Sequence, residues 1–343
     1  MILCSGTPLQ AQKKYPNPPC FVTIEEAKKT GGGGRGACGP PTAKRGYIIM
    51  QYIENDRIKV AVADHGAELC GIYDKKRGHE VVWQADPKYW NRHAPVLFPF
   101  VGKVCGGQYR YKGVSYPMGQ HGFARDMDFT LVGTTADSIT YVLKSDEATL
   151  AKYPFEFELE ITHRIEGNKV YVEWKVTNPS KDEPLYFSIG AHPAFNVPVL
   201  EGTKKDDYYV VFEGKDELEY VFIDPVAEAA DAEHPHKLVL DKGFLPVTMD
   251  LFDNDAYIFD HGQVEKVAIY YPDKTPYVTI DCKGFPSVGV WSKPKSDAPY
   301  ICLEPWIGRV DNMGFTGELP EKFEEQCAQP GESFKAVYTI TVD

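Results

Sequence analysis

The sequence predicts an all-β protein, built as one large antiparallel β-sandwich with few short helices. Short apolar runs of alternating polarity recur along the chain, bounded by Gly, Pro, Asn and Asp, the pattern of strands joined by tight turns. Helical periodicity is confined to residues 145–153 and 226–233, about two turns each. Without long helices between strands, a βαβ fold is excluded. The stretch from Met50 to Asp343 is also too long for a small immunoglobulin-like domain.

Residues 1–49 read differently. They carry Pro16-Asn17-Pro18-Pro19, a glycine run from Gly31 to Gly34, and Gly39-Pro40-Pro41, with almost no apolar period. Such a segment buries too little surface to offset its ordering entropy, so it is expected to be an unpacked or non-native extension. Gly31, Gly33 and Gly36 match G-x-G-x-x-G, but no strand precedes them and no helix follows, so no dinucleotide site is expected. Met50 stands just before the first patterned strand and reads as a candidate initiator, with the domain spanning 50–343.

From there strands are expected at 58–62, 67–73, 80–84, 129–132, 138–143, 155–165 and 169–177, with a hairpin turn at Glu166-Gly167-Asn168. Residues 86–90 are expected as a turn or a single helical turn, and 108–116 as a hairpin about Lys112-Gly113. Pro99 makes 96–101 an edge or irregular strand. The second half continues with 208–212, 218–223, 256–259, 267–271, 277–282, 287–292, 300–303 and 334–342.

The chain has 343 residues, 43% of them hydrophobic, and a net charge of −12. That charge gives no support for binding nucleic acid. No run approaches the ~18 apolar residues of a membrane helix, and the first residues turn polar too soon for a signal peptide. Eight scattered cysteines with no C-x-x-C pair read as reduced thiols, which places the protein in the cytoplasm.

Chemistry concentrates in four blocks: Arg92-His93-Ala94-Pro95-Val96-Leu97-Phe98-Pro99, Gln120-His121-Gly122-Phe123-Ala124-Arg125-Asp126, Gly190-Ala191-His192-Pro193-Ala194-Phe195-Asn196, and Cys302-Leu303-Glu304-Pro305-Trp306. Pro193 biases His192 toward extended backbone, so its ring projects from a strand end or loop. An imidazole near pKa ~6.5 on a stiff support suits proton transfer, although for that block by itself a buried strand-capping histidine is the favoured reading, and the other three blocks shift the balance. Glu304 follows an apolar run beside Trp306, where partial burial raises a carboxyl toward use as a base.

In this order the blocks resemble the aldose 1-epimerase (galactose mutarotase-like) family, over the chain from Met50 onward. The resemblance is nearest to the branch of lactose-operon mutarotase homologues and hexose-6-phosphate 1-epimerase relatives. It implies the galactose mutarotase-like supersandwich and an isomerase that interconverts α and β anomers of an aldohexose or hexose phosphate, with no cofactor and no metal. It implies Glu304 as general base, His192 as general acid and His121 as a second histidine near the ring oxygen. Arg92 and Arg125 are implied at the sugar, or at a phosphate in the phosphosugar relatives, where planar guanidinium groups fit. Lys103 stands where the galactose branch has arginine after glycine. Asp255, in preference to Asp253, is expected on the sugar hydroxyls, with Trp306 and Phe195 as aromatic platforms. His93, His163, His234, His236 and His261 are read as structural or exposed. The alternative is a non-catalytic carbohydrate-binding protein on the same fold. A glycoside hydrolase would require two carboxylates.

A chain beginning at Met50 is expected to melt within a few degrees of the full chain. A larger drop by calorimetry would show that the extension packs on the domain.

Overall fold

The computed structural model describes residues 49–343. The expectations placed on the N-terminal extension, Ile49 apart, lie outside the described residues. Within them the architecture is all-β and mostly antiparallel, with one α-helical turn, Glu147–Leu150, and a few 3-10 turns. That turn is capped by Asp146, whose side chain accepts from the Thr149 N–H. Pro154 disfavours helix at Tyr153 and so bars a longer one.

Residues 226–233 are not helical, against expectation. The Asp224 carboxylate accepts from the N–H groups of Val226 and Ala227 at 2.9 and 2.7 Å, closing a turn instead. The segment then pairs as Ala229–Ala230 against Ile223–Asp224.

A nine-stranded sheet has the hairpin Glu158–Glu166 and Lys169–Thr177 beside the C-terminal strand Ser333–Val342. Buried and more open residues alternate along these hairpin strands, so one face meets the core and the other water. A six-stranded sheet runs in the order Tyr257–Phe259, Ser287–Trp291, Tyr300–Ile307, Ile189–Ala191, Val96–Leu97, with Ala194–Asn196 also paired to Tyr300–Ile307. The main core joins both sheets: Leu159, Ile161, Val172 and Trp174 from the first meet Val288, Ile301, Leu303 and Ile307 from the second.

Tyr300–Ile307 is buried along its whole length. It was expected to stop at Leu303, but it continues through Pro305. With period two, Ile301, Leu303 and Ile307 enter the main core, while Tyr300, Cys302, Glu304 and Trp306 face the other way. Two smaller apolar clusters cover that second face, one around Trp306 and one around Tyr300 and Cys302.

The register then fixes the site. Gly190 pairs with Trp306, and Ala194 pairs with Cys302. Stepping two residues inward from each pair puts His192 opposite Glu304. Pro193 and Pro305 interrupt the ladder here because neither has an N–H to contribute. Leu303 N–H still donates to Pro193 O, at 3.2 Å, and keeps the strands aligned. On the other side, Gly289 is opposite Glu304.

Trp306 lies down across both neighbouring strands because each has a glycine beneath it. A Cβ on Gly190 would come within 2.7 Å of the indole, and one on Gly289 within 2.4 Å. Gly289→Ala is therefore expected to cost about 1–3 kcal/mol through overpacking. Urea melts should show most of that loss recovered in a Trp306→Leu background; no recovery would mean that the indole is not the obstacle.

Candidate active site

His192 and Glu304 meet on the floor of a cleft of about 1030 Å³. His192 Nε2 lies 3.3 Å from Glu304 Oε2, at an angle that makes no hydrogen bond, and neither Glu304 Oε2 nor His192 Nδ1 has a hydrogen-bond partner. The imidazole is held by aromatic rings. Trp90 packs on it with centroids 4.7 Å apart, Trp291 meets it edge-on at 5.5 Å, and His121 is perpendicular at 5.7 Å.

His121 is held in left-handed backbone at φ +66°, with Gly122 also left-handed behind it. A side chain at position 122 would collide with Phe98 O at 2.3 Å, so the turn requires glycine there. His121 N–H donates to Gly102 O at 2.8 Å, and Gly102 N–H donates back to His121 Nδ1 at 3.0 Å. Because an N–H can only donate, Nδ1 is the bare acceptor and the neutral ring carries its proton on Nε2.

Burial dominates the electrostatics. It pushes the Glu304 carboxyl well above the usual range, and the negative charge of Asp255 adds to the shift. Burial lowers His192 to about 3, helped by the positive charges of Arg125 and Arg92. His121 is held well below its ordinary value by burial, then by His192, Arg125 and Arg92. Both shifts favour the neutral forms, a protonated carboxyl beside an uncharged imidazole. A carboxylate with an imidazolium has the same proton count and differs only by a transfer across the 3.3 Å gap.

Most of the expected residues converge here: Arg92, Lys103, His121, Arg125, His192, Asp253, Asp255, Glu304 and Trp306 all line the cleft. Arg92 donates to Asp126 at 2.7 Å, while Arg125 lies 3.8 Å from the same carboxylate and donates to Gln120 O at 2.8 Å. Two guanidinium groups therefore share one carboxylate, and burial with Arg92 nearby lowers Arg125 to about 10. Lys103 is paired with Glu228 at the rim. Asp253 accepts from Lys295 N–H and ties two loops together, whereas Asp255 faces Glu304 closely enough to perturb it.

Phe195 does not join them, contrary to expectation. It is fully buried in the main core. His192 lines the cleft and Ala194 packs with Tyr300 and Cys302 on the same face, so strand alternation turns Phe195 to the opposite face. Sequence reasoning also missed Trp90 and Trp291. Trp291 shares the parity of Gly289 on its strand, a signal available once that strand's cleft face is known, while Trp90 comes from an irregular turn with no periodicity to read.

This arrangement, on a supersandwich fold, defines a mutarotase-like protein. The aldose 1-epimerase family model matches residues 50–341, and the chain belongs to that family. It is 30% identical over 295 residues to the chromosomal protein LacX of Lactococcus lactis subsp. lactis, covering 84% of this chain and 98% of that protein. Among solved structures, a galactose mutarotase related enzyme from Lactobacillus acidophilus is 35% identical with a TM-score of 0.81, covering 86% of this chain and 97% of that one. A galactose mutarotase-like protein from Lactobacillus casei is 31% identical with a TM-score of 0.78, covering 86% and 100%. Among the described residues no helix is long and apolar enough to cross a membrane.

The buried groups make stability depend on pH in two directions. Glu304 keeps its proton in the native state above the pH where the unfolded chain loses it, so stability falls as pH rises past ~4.3. Glu304→Gln removes that penalty, and its melting temperature should exceed the parent's at pH 8 with the gap closing toward pH 4. An equal gap at both pH values would refute the assignment. His163, buried with Nε2 on Ala67 O at 3.0 Å, is lowered to about 4. Here the unfolded chain binds the extra proton, so stability is lost as pH falls from ~6.5 toward 4, by about 3 kcal/mol for this residue. Urea midpoints for His163→Asn should be flatter over that window.

Proposed function

We propose that this protein is an aldose 1-epimerase, interconverting α and β anomers of an aldohexose or hexose phosphate by acid–base ring opening and closure. The observation that carries the reading is the opposed His192–Glu304 pair, desolvated, lacking hydrogen-bond partners at Glu304 Oε2 and His192 Nδ1, and facing an open cleft. Ring opening takes a proton from the C1 hydroxyl and gives one to the ring oxygen. Closure after rotation about C1–C2 reverses both transfers. No net proton is exchanged, which suits a pair that holds one proton and can place it on either partner.

Sugar hydroxyls entering the cleft supply donors and acceptors that these groups lack. Hydrogen bonds to the charged forms favour the carboxylate and imidazolium, with Glu304 as base at C1 and His192 as acid at the ring oxygen. His121 offers its Nε2–H to the ring-oxygen side, Asp255 accepts from hydroxyls, and Trp306 lies beneath the apolar face of the ring. Arg92 and Arg125 share one carboxylate, so about one positive charge remains for an anionic group on the substrate. A protein that only bound sugar would have no use for a desolvated acid facing a base.

Polarimetry on freshly dissolved α-anomers of glucose, galactose and their 6-phosphates tests the reading. An enzyme that leaves every spontaneous rate unchanged is no epimerase. Glu304→Gln should lower the rate by about 10²–10⁴ with the fold intact. His192→Asn should be comparably damaging and His121→Asn less so. The double Glu304/His192 variant should be scarcely worse than the worse single one, because both groups serve one transfer cycle. Arg125→Gln should raise KM steeply for a 6-phosphate and little for the neutral sugar; equal effects would assign the arginines to hydroxyls or structure.

A further inference from the structure

Cys302 has no part in the reaction above, yet it sits beside both groups that carry it. It precedes Glu304 by two residues on the same strand, so both project to the same face. His192 is opposite Glu304 and diagonal to Cys302 in the register derived above. One donor atom each from His192, Cys302 and Glu304 lie within 4.8 Å of one another, and all three residues are buried.

We propose that His192, Cys302 and Glu304 form a binding site for a thiophilic divalent cation with the coordination chemistry of zinc. Tetrahedral zinc with bonds of about 2.0–2.1 Å to nitrogen or oxygen and 2.3 Å to sulfur separates its donors by about 3.3–3.6 Å. The His192–Glu304 gap is already 3.3 Å, so only the thiol has to close in, by about 1 Å. Glu304 is 1% exposed and its Oε2, 3.3 Å from His192 Nε2, has no hydrogen-bond partner, leaving a buried acceptor aimed into the site. Three protein donors leave a fourth position open to the cleft for water. The thiol gives its proton to solvent as the thiolate coordinates.

Glu68, Cys70 and His93 make a second trio of this kind, but Glu68 there accepts from the N–H groups of His93 and Ala94 at 2.7 and 3.0 Å. One oxygen of that carboxylate, Oε1, already accepts from two backbone N–H groups.

A cation at His192, Cys302 and Glu304 captures both proton-transfer groups, so it should silence anomerisation; this consequence rests on the reading above, while the binding does not. The test is a cobalt(II) titration of the full chain, followed by thiolate-to-cobalt charge-transfer absorption in the near ultraviolet. One equivalent should develop the band, zinc should displace it, and Cys302→Ser and Cys302→Ala should each abolish it while leaving the metal-free anomerisation rate unchanged. Zinc should inhibit the parent at a concentration at least ~10-fold lower than either variant. No band in the parent, or an undiminished band in both folded variants, overturns the proposal. A Cys302-dependent band in a protein with no anomerisation activity supports the cation site and overturns the epimerase reading instead.

Discussion

The register of the Tyr300–Ile307 strand against the segment from Ile189 to Asn196 is the constraint on which the rest depends. The same pairing holds on both sides of Pro193 and Pro305, so His192 is delivered opposite Glu304 by sheet geometry rather than by a loop. A slip of one residue would send Glu304 into the main core and put Leu303 on the cleft floor. Ile301, Leu303 and Ile307 prevent that slip, since their burial among the residues of the nine-stranded sheet fixes which face is which. The hydrophobic core therefore positions His192 against Glu304.

From that strand the order spreads through contacts that can be followed. The chain leaves Ile307 into Gly308 and Arg309, and the Arg309 guanidinium donates from Nε to both Asp260 oxygens, at 3.0 and 2.9 Å, while Nη1 donates to Val310 O. This places Val310 against Gly102, where a side chain would come within 2.6 Å of its Cβ. Gly102 in turn holds His121 by both backbone groups. Lys322 and Asp311 form a second buried ion pair just beyond. Buried pairs of this kind add little net stability, but losing one partner strands a charge, so they fix geometry firmly. The second histidine is thus tied to the end of the strand that carries Glu304.

Desolvation governs the chemistry of the floor. Trp90, Trp291 and Trp306 exclude water around His192 and Glu304, which is why both groups prefer their neutral forms. The same exclusion strengthens any interaction a bound ligand makes with either charged form.

The sequence by itself determined the fold class, most strands and the four blocks, because alternation and turn chemistry are local. Lys169–Thr177 was legible to the residue, and the hairpin turn at Glu166-Gly167-Asn168 was as well. Arg92, His121, Arg125, His192 and Glu304 could be nominated from their blocks and Asp255 through the family resemblance, but nothing local showed that they share one cleft. Residues 226–233 looked helical by composition and became a turn because one side chain, Asp224, outbid the helix for two N–H groups. The tertiary structure alone decided that Phe195 faces the core, that Pro305 lies inside a strand rather than ending it, and that Trp90 and Trp291 wall the site. Each depends on which face of a strand meets which neighbour, a fact set by long-range pairing. The protonation of the pair belongs there too, since burial is a property of the assembled sheets and not of any residue's own sequence.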